Sequence, residues 1–395
     1  MSGRDLFCQP RRFGRGAALT LVFAGVLAAG AATGALPDGD HPGHSGASGR
    51  TAMQGAARQA TGHDGVEKAA AEALADGKSP MEAAERAVSR SGDRWGAVYS
   101  EGEYEEFQEA LDGEYTGVGL WARRERDGRI EVTKVQSGSP AAGAGVRPGD
   151  RLRSIDGRPV GGLPVTEVVS LLRGDAQDAH AGSTVRLGLE RGTRAWSETL
   201  RRARLSTDSV TVRKLAGGVT VIRVAAFTKG SGDTVRTAVR EAPADGRLIL
   251  DLRGNSGGLV TEATTAASAF LDGGLVATYD VDGKQHALHA ASGGDTARPL
   301  VTLVDGGTMS AAELLTGALK DRGRSVVIGS RTFGKGSVQM PSKLPDGSVA
   351  ELTVGHYRTP SGRAVDGRGI TPDLEAGQNA LQRAETVLTG LGDPS

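Results

Sequence analysis

From Ser209 onward, short apolar runs of strand length alternate with helical stretches, and this alternation constrains the fold more than any other feature of the chain. Arg247-Leu248-Ile249-Leu250-Asp251-Leu252 and Leu300-Val301-Thr302-Leu303-Val304 are almost unbroken apolar runs, and helical patterns follow near 260–270 and 311–320. A strand covered on both faces reads as such a run, and strands alternating with helices argue for an α/β core. No internal repeat accompanies the pattern.

Upstream the texture changes. Residues 115–205 hold short β-rich runs, Gly/Pro turns and one helical stretch, Val165-Thr166-Glu167-Val168-Val169-Ser170-Leu171-Leu172. That is the size of one small domain. Tyr115-Thr116-Gly117-Val118-Gly119-Leu120 sets two glycines before an apolar strand, so successive backbone N–H groups can converge on an anion such as a terminal carboxylate. A peptide would then pair beside that strand, with the helix at 165–172 as the other wall of a groove. A Gly-x-Gly is by itself more often a simple turn.

Residues 64–114 read as a small helical region. Ser79-Pro80-Met81-Glu82 supplies an N-cap, a proline at N1 and a capping-box glutamate for a helix ending near Gly92. Residues 37–63 are rich in Gly, Ser, Ala and His and poor in large apolar side chains, which predicts a disordered linker. Before it, Arg11, Arg12 and Arg15 lead an uncharged apolar stretch from Ala17 to Leu36, so residues 1–36 read as a signal peptide or an uncleaved membrane anchor. Both readings export the rest of the chain, either held at the membrane or secreted.

Composition removes several function classes. Lys plus Arg and Asp plus Glu are equal at 47 each, so nothing drives phosphate neutralisation and nucleic acid is an unfit partner. The lone Cys8 rules out an internal disulfide, a Cys-based zinc site and a thiol nucleophile in the folded part. His286-Ala287-Leu288-His289 has no clear third ligand, and no metal or other cofactor is expected.

Candidate chemistry lies in three loops of the α/β core. Thr308-Met309-Ser310-Ala311-Ala312-Glu313 follows a buried strand and opens a helix, a turn that suits a nucleophilic Ser310. The same Ser-x-x-Glu pattern is also a capping box worth about 1 kcal/mol. Lys335 lies in Thr332-Phe333-Gly334-Lys335-Gly336, where partial burial would lower its affinity for a proton and make it a general base. Gly329 to Lys335 also matches the start of a phosphate-binding P-loop, but Gly336 takes the Ser/Thr position, and Pro341 and Pro345 follow where a helix must start. Asp251-Leu252-Arg253-Gly254-Asn255-Ser256-Gly257-Gly258 presents a Gly-rich backbone after a strand, and the amides of Gly257 and Ala311 would form an oxyanion hole.

Two resemblances join these readings. Gly145-Val146-Arg147-Pro148-Gly149-Asp150-Arg151-Leu152 with Ile155-Asp156-Gly157 makes residues 115–205 resemble a PDZ domain, with Gly117, Val118, Gly119 and Leu120 as the tail-binding residues. Residues 64–390 resemble a carboxy-terminal processing, or tail-specific, serine peptidase. The resemblance rests on Ser310, on Lys335 25 residues later, on the Asp251–Gly258 block, and on the closing stretches Tyr357–Arg363 and Gly369–Asp373. Met309, Ala312 and Ser256 depart from residues the family often has there.

The resemblance implies a Ser310/Lys335 dyad, Gln339 as support for the lysine, and a crotonase-like ββα core at 206–395 with an inserted PDZ domain. The expected fold is a multidomain α/β (α+β) protein. Its expected function is an exported serine endopeptidase that forms an acyl-enzyme and cuts protein substrates near their C-termini, with the PDZ domain gating or delivering the tail. The alternative is a non-catalytic PDZ scaffold for the tails of exported proteins. Expected partners are proteins with exposed C-termini and, if the leader persists, the membrane; a homo-oligomer or an activating partner stays open.

Overall fold

The computed structural model describes residues 64–174, 180–281 and 284–391, and the leader and linker readings at 1–63 lie outside them. A six-stranded layer runs in the order Val210–Lys214, Val219–Val224, Arg247–Asp251, Leu300–Val304, Val326–Gly329 and Leu374–Glu375. Its first pair is antiparallel and the others are parallel.

Both faces of the layer's central strands are covered, which is why Arg247–Asp251, Leu300–Val304 and Val326–Gly329 are almost wholly apolar. Ile222, Leu248 and Leu250 join the core cluster that includes the helices Ser231–Glu241, Val260–Ala267 and Ala311–Asp321, whereas Val221, Ile249, Val301, Leu303 and Ile328 meet the helix Ala380–Leu391. Full burial of each such side chain is worth about 1.5–3 kcal/mol, so the sheet is a rigid platform for the loops at its strand ends.

A second sheet is organised by the ten-residue strand Val349–Arg358, which pairs antiparallel with Ala97–Tyr99, Leu275–Val281 and Ser337–Lys343. The N-terminal helical region is therefore built into the core. Helical residues 64–75 and the helix Pro80–Ser91 are too short to bury their apolar faces alone; Val66, Ala70, Ala84 and Val88 pack with Leu344, Ala350 and Leu352. Ser79 caps the Glu82 N–H at 3.3 Å and Gly92 ends the helix in a left-handed conformation, as its sequence predicts.

The PDZ-like module has strands in the order Leu120–Arg124, Ile130–Val135, Arg151–Ile155, Thr184–Arg191 and Arg194–Arg201, with the helix Val165–Arg173 packed beside them. Its entering strand Glu114–Gly117 and leaving strand Ala203–Ser206 pair antiparallel, Glu114 opposite Ser206. Upstream Ala97–Tyr99 is paired with downstream Val349–Arg358, so the module is an insertion on a two-strand stem.

The phosphate-loop reading loses its footing. The Gly329–Lys335 stretch leads into the strand Ser337–Lys343, not the helix that a P-loop requires. His286 and His289 lie on the strand Lys284–His289, His286 stacks on Tyr279 at 5.2 Å, and among the described residues no acidic, His or Cys cluster is placed to hold a metal. Among the described residues, no helix is long and apolar enough to cross a membrane.

Candidate active site

The turn after strand Leu300–Val304 is sewn to the Gly-rich loop beside it. Asp305 Oδ1 accepts the N–H groups of Gly254 and Gly307, each at 2.9 Å, Thr308 Oγ1 donates to the Leu252 carbonyl at 2.9 Å, and Met309 N–H donates to the Asn255 carbonyl at 2.8 Å. These bonds deliver Ser310 to the mouth of the helix Ala311–Asp321 with φ 53° and ψ −118°. Among the described residues only Asp156 is another non-glycine at positive φ. Such a conformation costs about 1–3 kcal/mol and persists only where its surroundings over-determine it.

Gly257 is the close neighbour that makes this turn fit. A Cβ at Gly257 would stand 2.9 Å from Ser310 Cβ and 3.2 Å from Ala311 N, and its φ of +99° is itself unsuited to a side chain.

Glu313 ties the serine turn to the lysine loop. This fully buried carboxylate accepts the Ser310 N–H at 3.0 Å, the Lys335 N–H at 2.8 Å, the Gly334 N–H at 2.7 Å and the Thr332 hydroxyl at 2.5 Å. Burial raises its pKa above the usual carboxylate value, and the four donors pull the other way. The sequence pattern predicts a helix cap; the structure makes the residue a cross-link between the backbones of both candidate catalytic residues.

The Lys335 side chain is arranged differently. Its Nζ sits 5.5 Å from the centroid of the Trp95 ring, a cation–π distance. Burial lowers its pKa, opposed by the carboxylates of Glu351 and Asp93. Gln339 Nε2 donates to the Trp95 carbonyl, so it bonds the residue beneath the lysine and not the amine itself. Among the described residues no hydrogen bond joins the Lys335 amine to the Ser310 hydroxyl.

The two amides read as an oxyanion hole also differ. Ala311 opens its helix, where N–H groups lack intrahelical partners. The Gly257 N–H is instead bonded to the buried Asn255 side chain at 2.8 Å. Asn255 is held in turn by donating to the Val224 carbonyl at 3.0 Å.

In the inserted module, Gly117, Val118, Gly119 and Leu120 all line an open groove whose other wall is Val169, Leu172 and Arg173. Among the described residues Leu120–Arg124 is an edge strand with a single partner, Ile130–Val135, so its outer backbone groups are open to an added strand.

Sequence reasoning missed Trp95, Glu351 and the place of Arg173 in the groove, and it saw Glu313 only as a cap. A Ser-x-x-Glu motif beside a Gly-flanked lysine was the available signal for Glu313. Nothing local links Trp95 or Glu351 to Lys335.

Comparison with known proteins agrees with this architecture. Residues 218–376 match the model of peptidase family S41, and residues 131–191 match a PDZ domain. A probable CtpA-like serine protease of Staphylococcus saprophyticus is 31% identical over 316 residues, covering 78% of this chain and 63% of that protein. One of Staphylococcus aureus is 35% identical over 278 residues, covering 68% and 54%. The chain thus spans between about half and two thirds of the length of these relatives. The solved structure of a photosystem II D1 C-terminal processing protease superposes with a TM-score of 0.50 at 28% identity, over 80% of this chain and 86% of that one. With the strained serine at the head of its helix and the module inserted on its stem, the chain carries a peptidase family S41 domain and a PDZ domain.

Proposed function

We propose that the protein is an exported serine endopeptidase that cuts protein substrates near their C-termini through Ser310 and Lys335. The observation that carries the reading is Glu313, one buried carboxylate bonded to the backbones of both residues. Ser310 Oγ attacks the scissile carbonyl carbon while neutral Lys335 takes its proton. The Lys335 ammonium then protonates the departing amine, and water, deprotonated by Lys335, hydrolyses the acyl ester. Gln339 supports the lysine. The Ala311 and Gly257 amides bind the oxyanion, which requires Gly257 to release Asn255.

The PDZ groove takes the substrate tail as an added strand, and its apolar wall favours an apolar terminus. Export follows from the Arg-led apolar stretch at 1–36, which either anchors the protein or is removed.

The test is cleavage of an unfolded reporter with an apolar C-terminal tail by the full-length protein, beside Ser310→Ala and Lys335→Ala. Turnover by wild type alone, with an acyl adduct on Ser310 seen by mass spectrometry, is expected; equal turnover by all three would refute the reading. A second reading, a tail-binding scaffold without turnover, is favoured by the Lys335 amine resting on Trp95 and by the occupied Gly257 amide. Tail binding by a folded wild type that never cleaves would select it.

A further inference from the structure

The segment between the helix Pro80–Ser91 and the strand Ala97–Tyr99 crosses the chain to the lysine loop. Its turn is fixed from both ends. Asp93 Oδ1 accepts the N–H groups of Trp95 and Gly96 at 3.0 and 2.9 Å, while its carboxylate also takes the Thr353 N–H and hydroxyl, each at 2.8 Å, on the strand Val349–Arg358. Gly96 leaves no room for a side chain, since a Cβ there would lie 2.8 Å from Asp93 Oδ2 and 2.9 Å from Val88 Cγ1. The turn is therefore a rigid mount for Trp95.

From that mount Trp95 meets the lysine loop and its surroundings at four points. Its ring faces Lys335 Nζ at 5.5 Å and packs on Phe333 at 5.7 Å between centroids. Its Nε1 donates to Asp366 Oδ1 at 3.2 Å, and the same oxygen accepts the Gly336 N–H at 3.2 Å. Its carbonyl accepts Gln339 Nε2. Phe333, Lys335 and Gln339 thus meet one tryptophan that lies far upstream in the chain, and Gly336 is tied to it through Asp366.

We propose that Trp95 is a positioning residue for the Lys335 amine, holding the lysine loop and excluding water from it so that the amine can serve Ser310. The proposal rests on the Ser310/Lys335 reading above. The carboxylates that act on the amine are those of Glu351 on the long strand and Asp93 on the turn; Arg94 and Asp366, which His356 approaches at 3.8 Å, lie against Trp95. The carboxylates favour the ammonium form, and exclusion of water by the indole and its neighbours opposes them. Arg94 stacks on Trp95 itself, 4.6 Å from the ring centroid.

Trp95→Leu removes the ring and the Asp366 bond but keeps the carbonyl that Gln339 uses, and Trp95→Phe restores a ring. On a peptide substrate, Trp95→Leu is expected to lower kcat by roughly ten- to a hundredfold with KM little changed, as for a misplaced catalytic group. Water reaching the amine also moves the acidic limb of its kcat/KM profile to higher pH. Trp95→Phe is expected to recover most of kcat and the wild-type limb, which a merely structural tryptophan would not predict. Unchanged kcat and limb in a folded Trp95→Leu protein, or an equal loss in both variants with the limb unmoved, would overturn the proposal.

Labelling of Lys335 by acetic anhydride, followed by mass spectrometry across pH, reads the amine without turnover. At high pH, where the amine is neutral in both proteins, faster labelling in Trp95→Leu than in wild type is expected, and equal labelling there overturns the proposal. If wild type cleaves nothing, the peptidase reading fails while this labelling still decides whether Trp95 covers the lysine.

Discussion

Ser310 and Lys335, the proposed dyad, sit on two differently built supports. The serine turn is held entirely within the central layer and its loops: Asp305, Thr308, Met309, Gly257 and Glu313 fix its backbone so tightly that a positive φ survives. The lysine shares Glu313 at its backbone, but its side chain rests on Trp95 and near Glu351 and Asp93, contributed by the N-terminal turn and the second sheet. A nucleophile needs one fixed position, and strain held by many short bonds provides it. A general base has to change charge, and its surroundings must balance burial against nearby carboxylates. The difference predicts which substitutions disturb both supports and which only one.

Glu313→Ala should abolish the distinction. It leaves the buried N–H of Gly334 and the partly buried N–H groups of Ser310 and Lys335 without an acceptor, and an unmet buried donor costs about 1–3 kcal/mol. Denaturant unfolding should report a loss above about 3 kcal/mol, and turnover should fall to the Ser310→Ala level. Retention of wild-type activity would mean that the two supports are independent.

Gly257→Ala tests the serine side alone. Its new Cβ would stand 2.9 Å from Ser310 Cβ in a conformation unsuited to side chains. Activity should fall roughly a hundredfold, the penalty for displacing a catalytic group by about an ångström, while the pH limb assigned to Lys335 stays in place. A shifted limb would show that the serine turn also sets the lysine's environment.

How far the sequence led obeys the same division. Unbroken apolar strands and the cap at Ser79 are local patterns, so the two-sided sheet and the helix Pro80–Ser91 could be read directly from the chain. The serine turn and the lysine loop were legible because each carries its glycines beside it. Ala97 pairing with Glu351, and Trp95 lying over Lys335, join residues about 240 to 250 apart with no periodicity to announce them. Asn255 on the Gly257 amide escaped for another reason: a side chain in a Gly-rich loop has several acceptors or donors within reach, and composition does not choose among them.

The groove offers a control that should touch neither support. Val169→Asp places a carboxylate on the wall opposite Gly117 to Leu120, where it opposes both an apolar tail and its terminal charge. KM for a reporter with an apolar tail should rise about tenfold, equivalent to roughly 1.4 kcal/mol of binding, with kcat on a short internal peptide unchanged. Equal effects on both substrates would mean that the module reaches the catalytic loops.

The smallest effect is the sharpest test of the lysine side. Glu351 lies on the long strand, where burial raises its pKa and the Lys335 charge lowers it. Its carboxylate in turn favours the lysine's protonated form against the burial that disfavours it. The proposed base works only when neutral, so kcat/KM should rise as pH climbs through the lysine's pKa. In Glu351→Gln the cation loses a nearby negative charge and gives up its proton at lower pH, so the acidic limb moves down and activity near neutral pH rises a few-fold. Ser310 has no part in that balance, so the plateau at high pH should not move. A limb that stays in place would remove Glu351 from the lysine's support, while a fall in the plateau would show that the carboxylate also shapes the serine turn, and the two supports would have to be redrawn as one.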